Sequence, residues 1–178
     1  PEDQRKAWRA ASYESKADEN TQRIHELLRS AQEQVLVFTG NCSFINLAEQ
    51  GTPLASVIHD LVQRGVTIKV LSRVDIASVT NLQKLLAINY GLGKDVIEVH
   101  HAEQPLRGFI VDDRIVRLKE ELSPQRYRSG ELDHDTVLVY EIYDPAWVKW
   151  AQNVFWALFR TSLAGQKRLE DLNTINKL

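Results

Sequence analysis

The chain has 178 residues, 43% of them hydrophobic, which suits one domain around a single core rather than two independent ones. Its net charge of −2, with acidic and basic residues interleaved, excludes an overall field that would gather it on nucleic acid or an anionic membrane. A single cysteine, Cys42, excludes an internal disulfide framework, and no apolar run nears the roughly 18 residues that span a bilayer. The chain opens at Pro1 and contains no methionine, so it reads as a fragment of a longer, cytoplasmic protein with no membrane partner.

From Arg5 to about Gln34 the sequence is polar, free of proline and glycine, and rich in helix formers, which predicts a long N-terminal helix or two helical pieces. Ile24, Leu27, Leu28 and Ala31 fall on one helical face, suited to packing on a sheet, with a dimer contact as the alternative. "VLVFTG", Val35 to Gly40, is a short β-branched run closed by glycine, hence a buried strand. After the loop "NCSFINLAEQGTP", the residues Leu54, Val57, Ile58, Leu61 and Val62 keep helical period and Gly65 supplies a C-cap. "VTIKVLSR" is a second strand, "ASVTNLQKLLAINYG" a second helix closed by Gly91 or Gly93, and "VIEVHH" a third strand. This alternation is the pattern of crossovers in a parallel sheet. A ligand site is then expected at the carboxyl ends of the strands: Thr39 to Ser43, Ser72 to Asp75 and His100 to Glu103.

"QPLRGFIVDDRIVRLKEE", Gln104 to Glu121, reads as a β-hairpin turning on the pair Asp112 and Asp113. "DTVLVYEI" is a sixth strand, and Asp144-Pro145 opens a helix through "AWVKWAQNVFWALFRTSLA". On that helix Trp147, Trp150, Val154 and Leu158, with Ala151 and Phe155, form a wide apolar stripe. Three of the four tryptophans lie here, at a spacing that suits a core or a subunit interface better than a ligand box. The tail from Gly165, "GQKRLEDLNTINKL", is either a short helix or frayed.

This order of elements, with its aspartate-turned hairpin and aromatic closing helix, resembles the phospholipase D-like fold: an α/β mixed sheet flanked by helices. Enzymes of that family carry His-x-Lys-x4-Asp, followed seven residues later by Gly-Ser or Gly-Gly, where His attacks phosphorus and Lys holds a phosphate oxygen. With the motif's aspartate on Asp112, the lysine position holds Arg107 and the histidine position Pro105; Lys119 and Glu120 stand where Gly-Ser belongs. Counting from His100 or His101 does not restore the motif. The stretches "TQRIHELLRSAQEQVLVFTG", "RGVTIKVLSR", "RGFIVDDRIVRL" and "VFWALFRTSL" further resemble the effector domain of archaeal transcription regulators of the TrmB type. That resemblance implies residues 1–20 as a linker from an upstream winged-helix domain, residues 21–164 as the phospholipase D-like domain, and residues 165–178 as a helical tail. It also implies a homodimer that touches DNA only through the winged helix.

The expected function is therefore a non-enzymatic effector-sensing and dimerisation domain, binding a sugar or a phosphate-bearing small molecule and using no metal or cofactor. Arg107, Asp112, Thr39, Asn41, Ser43, Arg73, His101 and His134 are the candidate ligand-binding residues. Arg107 suits a two-pronged contact with an oxyanion or diol, although an arginine and a turn aspartate facing across a hairpin also occur as plain surface charges. His100 and His101 are adjacent on one strand, point to opposite faces and make a poor metal pair. His134 with Asp135 is a second polar pair near the expected pocket, and Cys42 suits packing better than chemistry. The alternatives are a divergent phosphodiesterase or nuclease that uses His100, His101 or His134, and a scaffold without a ligand.

Overall fold

A computed structural model describes residues 6–12, 24–128 and 130–175. The described residues form ten strands: β1 (Lys6–Ser12), β2 (Gln34–Thr39), β3 (Ala48–Glu49), β4 (Thr52–Pro53), β5 (Thr67–Ser72), β6 (Ile97–His101), β7 (Gly108–Val111), β8 (Ile115–Leu122), β9 (Thr136–Ile142) and β10 (Leu163–Ala164). The α-helices are α1 (residues 24–29), α2 (Leu54–Gln63), α3 (Val79–Leu92), α4 (Pro145–Thr161) and α5 (Gly165–Ile175). Eight strands form one mixed sheet in the order β1-β9-β8-β7-β2-β5-β6-β10. β2, β5 and β6 run parallel, as the crossover pattern requires, and β7, β8, β9 and β1 extend the sheet antiparallel.

The expected helix over Arg5 to Gln34 is corrected in its first part, because Lys6–Ser12 pairs with Ile142–Thr136 along β9. Helix propensity is a weak prior, and an antiparallel neighbour overrides it. Residues 13–23 of that expectation lie outside the described residues. In the second part Ile24, Leu28 and Ala31 are buried against the sheet, as the spacing requires. The polar tail also resolves: Gly165–Ile175 is helical, and its Leu169 and Leu172 pack on the same core.

The central strands are buried on both faces, so their sequences run apolar without alternation. Val35 and Val37 look toward α1, α2 and α3, together with Ile68, Val70, Ile97 and Val99. Leu36 and Phe38 look the other way, with Leu71, Ile110 and Val116, toward α4. The side chains that α4 buries are Val148, Gln152, Phe155 and Phe159, and the ring of Phe155 stands edge-on to Phe38 at 5.2 Å. The apolar stripe expected on this helix is thus rotated: Trp150 is 59% exposed and Trp147 45%, while Trp156 and Leu158 are partly buried. Both flanks of α4 are apolar, so periodicity alone could not choose between them.

One residue ties these layers together. Asp112 stands at the β7–β8 turn with φ 51°, a left-handed conformation that aspartate tolerates. Its carboxylate accepts backbone N–H bonds from Gln32 (3.1 Å), Glu33 (2.9 Å) and Gln34 (3.0 Å), where α1 passes into β2. Arg114 adds an ion pair at 3.1 Å. The Asp112 N–H donates to the Gln34 carbonyl at 3.0 Å, and its carbonyl accepts from Gln152 Nε2 of α4 at 2.7 Å. Burial pushes the carboxyl upward, but the bonds from Gln34, Glu33, Gln32 and Arg114 together outweigh it and hold it below its usual range.

Two stability tests follow. Asp112→Ala leaves three backbone donors without their acceptor and is expected to cost on the order of 3 kcal/mol, a fall in Tm of roughly 6–12 °C by calorimetry. Because the folded carboxyl is the stronger acid, its contribution is full above the unfolded carboxylate range and fades as pH drops through it, so Asp112→Asn should flatten the acid limb of a Tm-against-pH curve. For α4, Phe155→Ala is expected to cost about 3–5 kcal/mol and Trp150→Ala within about 0.5 kcal/mol, compared by urea denaturation.

Candidate functional site

The carboxyl ends of β2 and β5 open into a groove of ≈ 870 Å³. Its rim forms because the chain leaving β6 crosses over these strand ends through residues 102–107 before turning down into β7. Gln104 fastens that crossing by donating its Nε2 to the Thr39 carbonyl at 3.0 Å. Ser72 Oγ donates to the Gly40 carbonyl at 3.2 Å, and Thr39 Oγ1 accepts the Cys42 N–H at 3.2 Å. Asn41 Oδ1 accepts from the Ser43 N–H at 3.1 Å. Thr39 and Asn41 therefore shape the loop as well as line the groove. Cys42 is fully buried; burial raises its thiol to about 11, against a smaller lowering by a bond with Ser72, so it is packing rather than a nucleophile.

Of the candidate residues, Thr39, Asn41, Ser43, Arg73 and Arg107 line this one groove. Arg107 is the most constrained. Its Nη1 donates to the carbonyls of Leu106 (2.7 Å) and Gln104 (3.2 Å), and its guanidinium lies so close over Gly40 that a Cβ there would be 2.7 Å from Nη2. No carboxylate among the described residues comes within ion-pair distance of it. Arg73, by contrast, is already paired through Nε with Asp75 at 2.8 Å.

Asp112, His101 and His134 do not join them. Arg107 and Asp112 do not face each other across the hairpin, because they flank opposite ends of the four-residue strand β7 and Asp112 is buried in the clasp at the far side. His101 turns Nδ1 to the Val74 N–H at 2.9 Å, which makes it a brace for the loop after β5. His100 stacks on Phe159 with centroids 3.8 Å apart and faces its carbonyl at 2.9 Å. His134 is exposed ahead of β9 and lines no part of the groove.

The second wall is one that the sequence reading missed. Arg117, Leu118, Lys119, Glu120 and Glu121 of β8 line it, with Tyr140 of β9 and Arg126 of the connecting loop. Arg117 is buried in an ion pair with Glu141, and Tyr140 donates its hydroxyl to Glu120 at 3.1 Å. That bond to Glu120 is the main reason the phenol sits above its usual range. The signal was present in the hairpin: eight residues continue extended after the turn and only four precede it, so the longer strand must project past its partner.

No protein-family model matches the chain, and no curated protein matches it either. Solved structures do. TrmBL2, an archaeal chromatin protein with a novel mode of DNA binding, superposes with a TM-score of 0.61 at 20% identity, over 88% of this chain and 54% of that one. NucT from Helicobacter pylori gives 0.61 at 15% identity, over 90% and 99% of the two chains. Nuc from Salmonella typhimurium, a phospholipase D family member, gives 0.58 at 10% identity, over 90% and 98%. The fold is phospholipase D-like. The chain spans about half of the TrmBL2 chain and nearly all of NucT and Nuc. Within this phospholipase D-like frame Pro105 and Arg107 line the groove, and Asp112 braces the far end of β7.

Gly108 sets how the two walls meet. Its φ is 152°, and a Cβ there would lie 2.0 Å from the Arg117 carbonyl oxygen. Gly108→Ala is expected to cost more than about 3 kcal/mol, since backbone rather than a flexible side chain must yield. Gly65→Ala, also at positive φ but with open space around it, should cost less; paired melting curves make the comparison.

Proposed function

We propose that this chain is a non-enzymatic effector-sensing and dimerisation domain of a transcription regulator of the TrmB type, acting in the cytoplasm. The observation that carries the reading is Pro105 on the groove, at the position where phospholipase D chemistry needs a histidine nucleophile. Proline has no side chain that can form a phosphoenzyme. No histidine or cysteine lines the groove among the described residues, and His100 and His101 are engaged in packing and bracing.

What the groove retains is binding chemistry. Arg107 has one guanidinium nitrogen fixed by two carbonyls and no carboxylate partner among the described residues, so its remaining donors suit an oxyanion or a vicinal diol. Asn41 and Ser43 add polar groups of the kind that orient a sugar or a phosphate-bearing effector. DNA would be reached through a winged-helix domain of the longer protein, and two copies would pair. No α-helix among the described residues is long and apolar enough to cross a membrane.

The test combines a binding screen with an activity assay. Across sugars, sugar phosphates and nucleotides, a cognate effector at 100 times its Kd should add about 2.7 kcal/mol, and Arg107→Ala should remove the shift. A chromogenic phosphodiester should show no turnover. Turnover that disappears on replacing His100, His101 or His134 by alanine would establish the enzyme instead, and a flat screen with a light-scattering monomer would leave a scaffold.

A further inference from the structure

The wall made by β8 has an unusual property. In a strand, successive side chains point to opposite faces, so a groove lying on one face is lined by alternate residues. Here five consecutive residues, Arg117 to Glu121, line the same groove. The groove therefore runs along the edge of β8 and meets its backbone.

The hydrogen-bond ladder shows why that edge is open. β7 pairs with β8 only from Gly108↔Leu118 to Val111↔Ile115, whereas β9 accompanies β8 from Val116 to Leu122. Beyond Leu118 one further rung forms on the β7 side: the Lys119 N–H donates to the Arg107 carbonyl at 2.8 Å. Odd-numbered residues of β8 thus turn their backbone groups toward the groove, and the period of two puts the Glu121 N–H and C=O there as well. Among the described residues nothing takes the Lys119 C=O or either Glu121 group. Among the described residues, about 13 Å of strand, four residues at 3.3 Å, has no strand paired on this side and borders an open slot.

We propose that this slot receives an extended polypeptide segment carrying carboxylate side chains, which adds to β8 as a strand. The slot has the polarity for it. The Lys119 C=O and the Glu121 N–H and C=O supply rungs that any extended segment satisfies. Phe44 and Phe109, edge-on at 5.7 Å, line the groove from one face of the sheet and Leu118 from the other, so apolar surface is present on both sides of the slot. Of the five cations that line the groove, Arg73, Arg117 and Lys119 are already paired, with Asp75, Glu141 and Glu121. Arg107 and Arg126 have no ion-pair partner among the described residues, so an acidic segment is favoured over a basic one. The charges along β8 that guard an edge against indiscriminate pairing here select the partner. Strand addition rests on backbone groups of β8 that a small molecule at Arg107 need not touch, while the preference for carboxylates shares Arg107 with the effector reading.

The probe is a fluorescein-labelled eight-residue peptide alternating valine and glutamate, with two companions: the same peptide N-methylated at alternate amides, and one with lysine replacing glutamate. Anisotropy should show saturable binding by the first and at least tenfold weaker binding by each companion. The Glu121 amide should gain protection from hydrogen exchange only with the first peptide. Glu121→Pro, which removes one outward N–H at an edge position, should weaken binding at least tenfold with Tm little changed. Should that variant fold poorly, the N-methylated comparison on the native chain carries the decision alone. No binding at about 1 mM peptide, or equal binding of the N-methylated peptide, overturns the proposal. A small-molecule shift lost in Arg107→Ala but indifferent to these peptides would sustain the effector reading and sink this one.

Discussion

The structure hangs on one buried carboxylate. Asp112 collects three successive backbone N–H groups at the α1–β2 joint, pairs with Arg114, and through its own backbone holds β2 on one side and Gln152 of α4 on the other. Without the carboxylate, three backbone N–H groups at the entry to the first central strand would lose their acceptor, a costlier loss than that of a surface ion pair. The residue that looked like part of a site is better understood as the anchor that fixes the site's distance from the sheet floor. Its left-handed turn also sets the register of β7 on β2, and so the height at which Arg107 leaves the sheet.

The two ends of β7 have consequently parted company in chemistry. At one end the aspartate carries hydrogen bonds that the fold relies on; at the other, Pro105 and Arg107 line the groove. The sheet demands only hydrogen bonds and apolar volume, whereas phosphoryl chemistry of the phospholipase D kind demands a particular ring nitrogen at a particular point. The likeness to TrmBL2, NucT and Nuc, at 20% identity and below, is a likeness of the former kind.

Most of the architecture was legible in the residues, since strands buried on both faces and helices closed by Gly65 and Gly93 leave unambiguous marks. The misreadings have specific causes. The stretch "KAWRAAS" carries helix propensity, and only the presence of β9 beside it makes it a strand. The helix α4 is apolar on more than one flank, so its phase depended on which flank the sheet would meet, and Phe155 rather than Trp150 met it. Spacing along the hairpin paired Arg107 with Asp112 by sequence nearness, but in an extended strand five residues are about 16 Å of separation. The wall formed by Lys119, Glu120 and Tyr140 depends on unequal strand lengths, which no single side chain announces.

Gly108 gives the groove a property of another order. The spacing between its two walls is fixed by main chain meeting main chain, at Gly108 and the Arg117 carbonyl. A passage framed by backbone keeps its width whatever side chains line it. The lining residues can then be exchanged freely over generations, a histidine for a proline or a lysine for an arginine, without reshaping the opening. Such a scaffold can lose one ligand and acquire another by point substitution while its aperture stays the same.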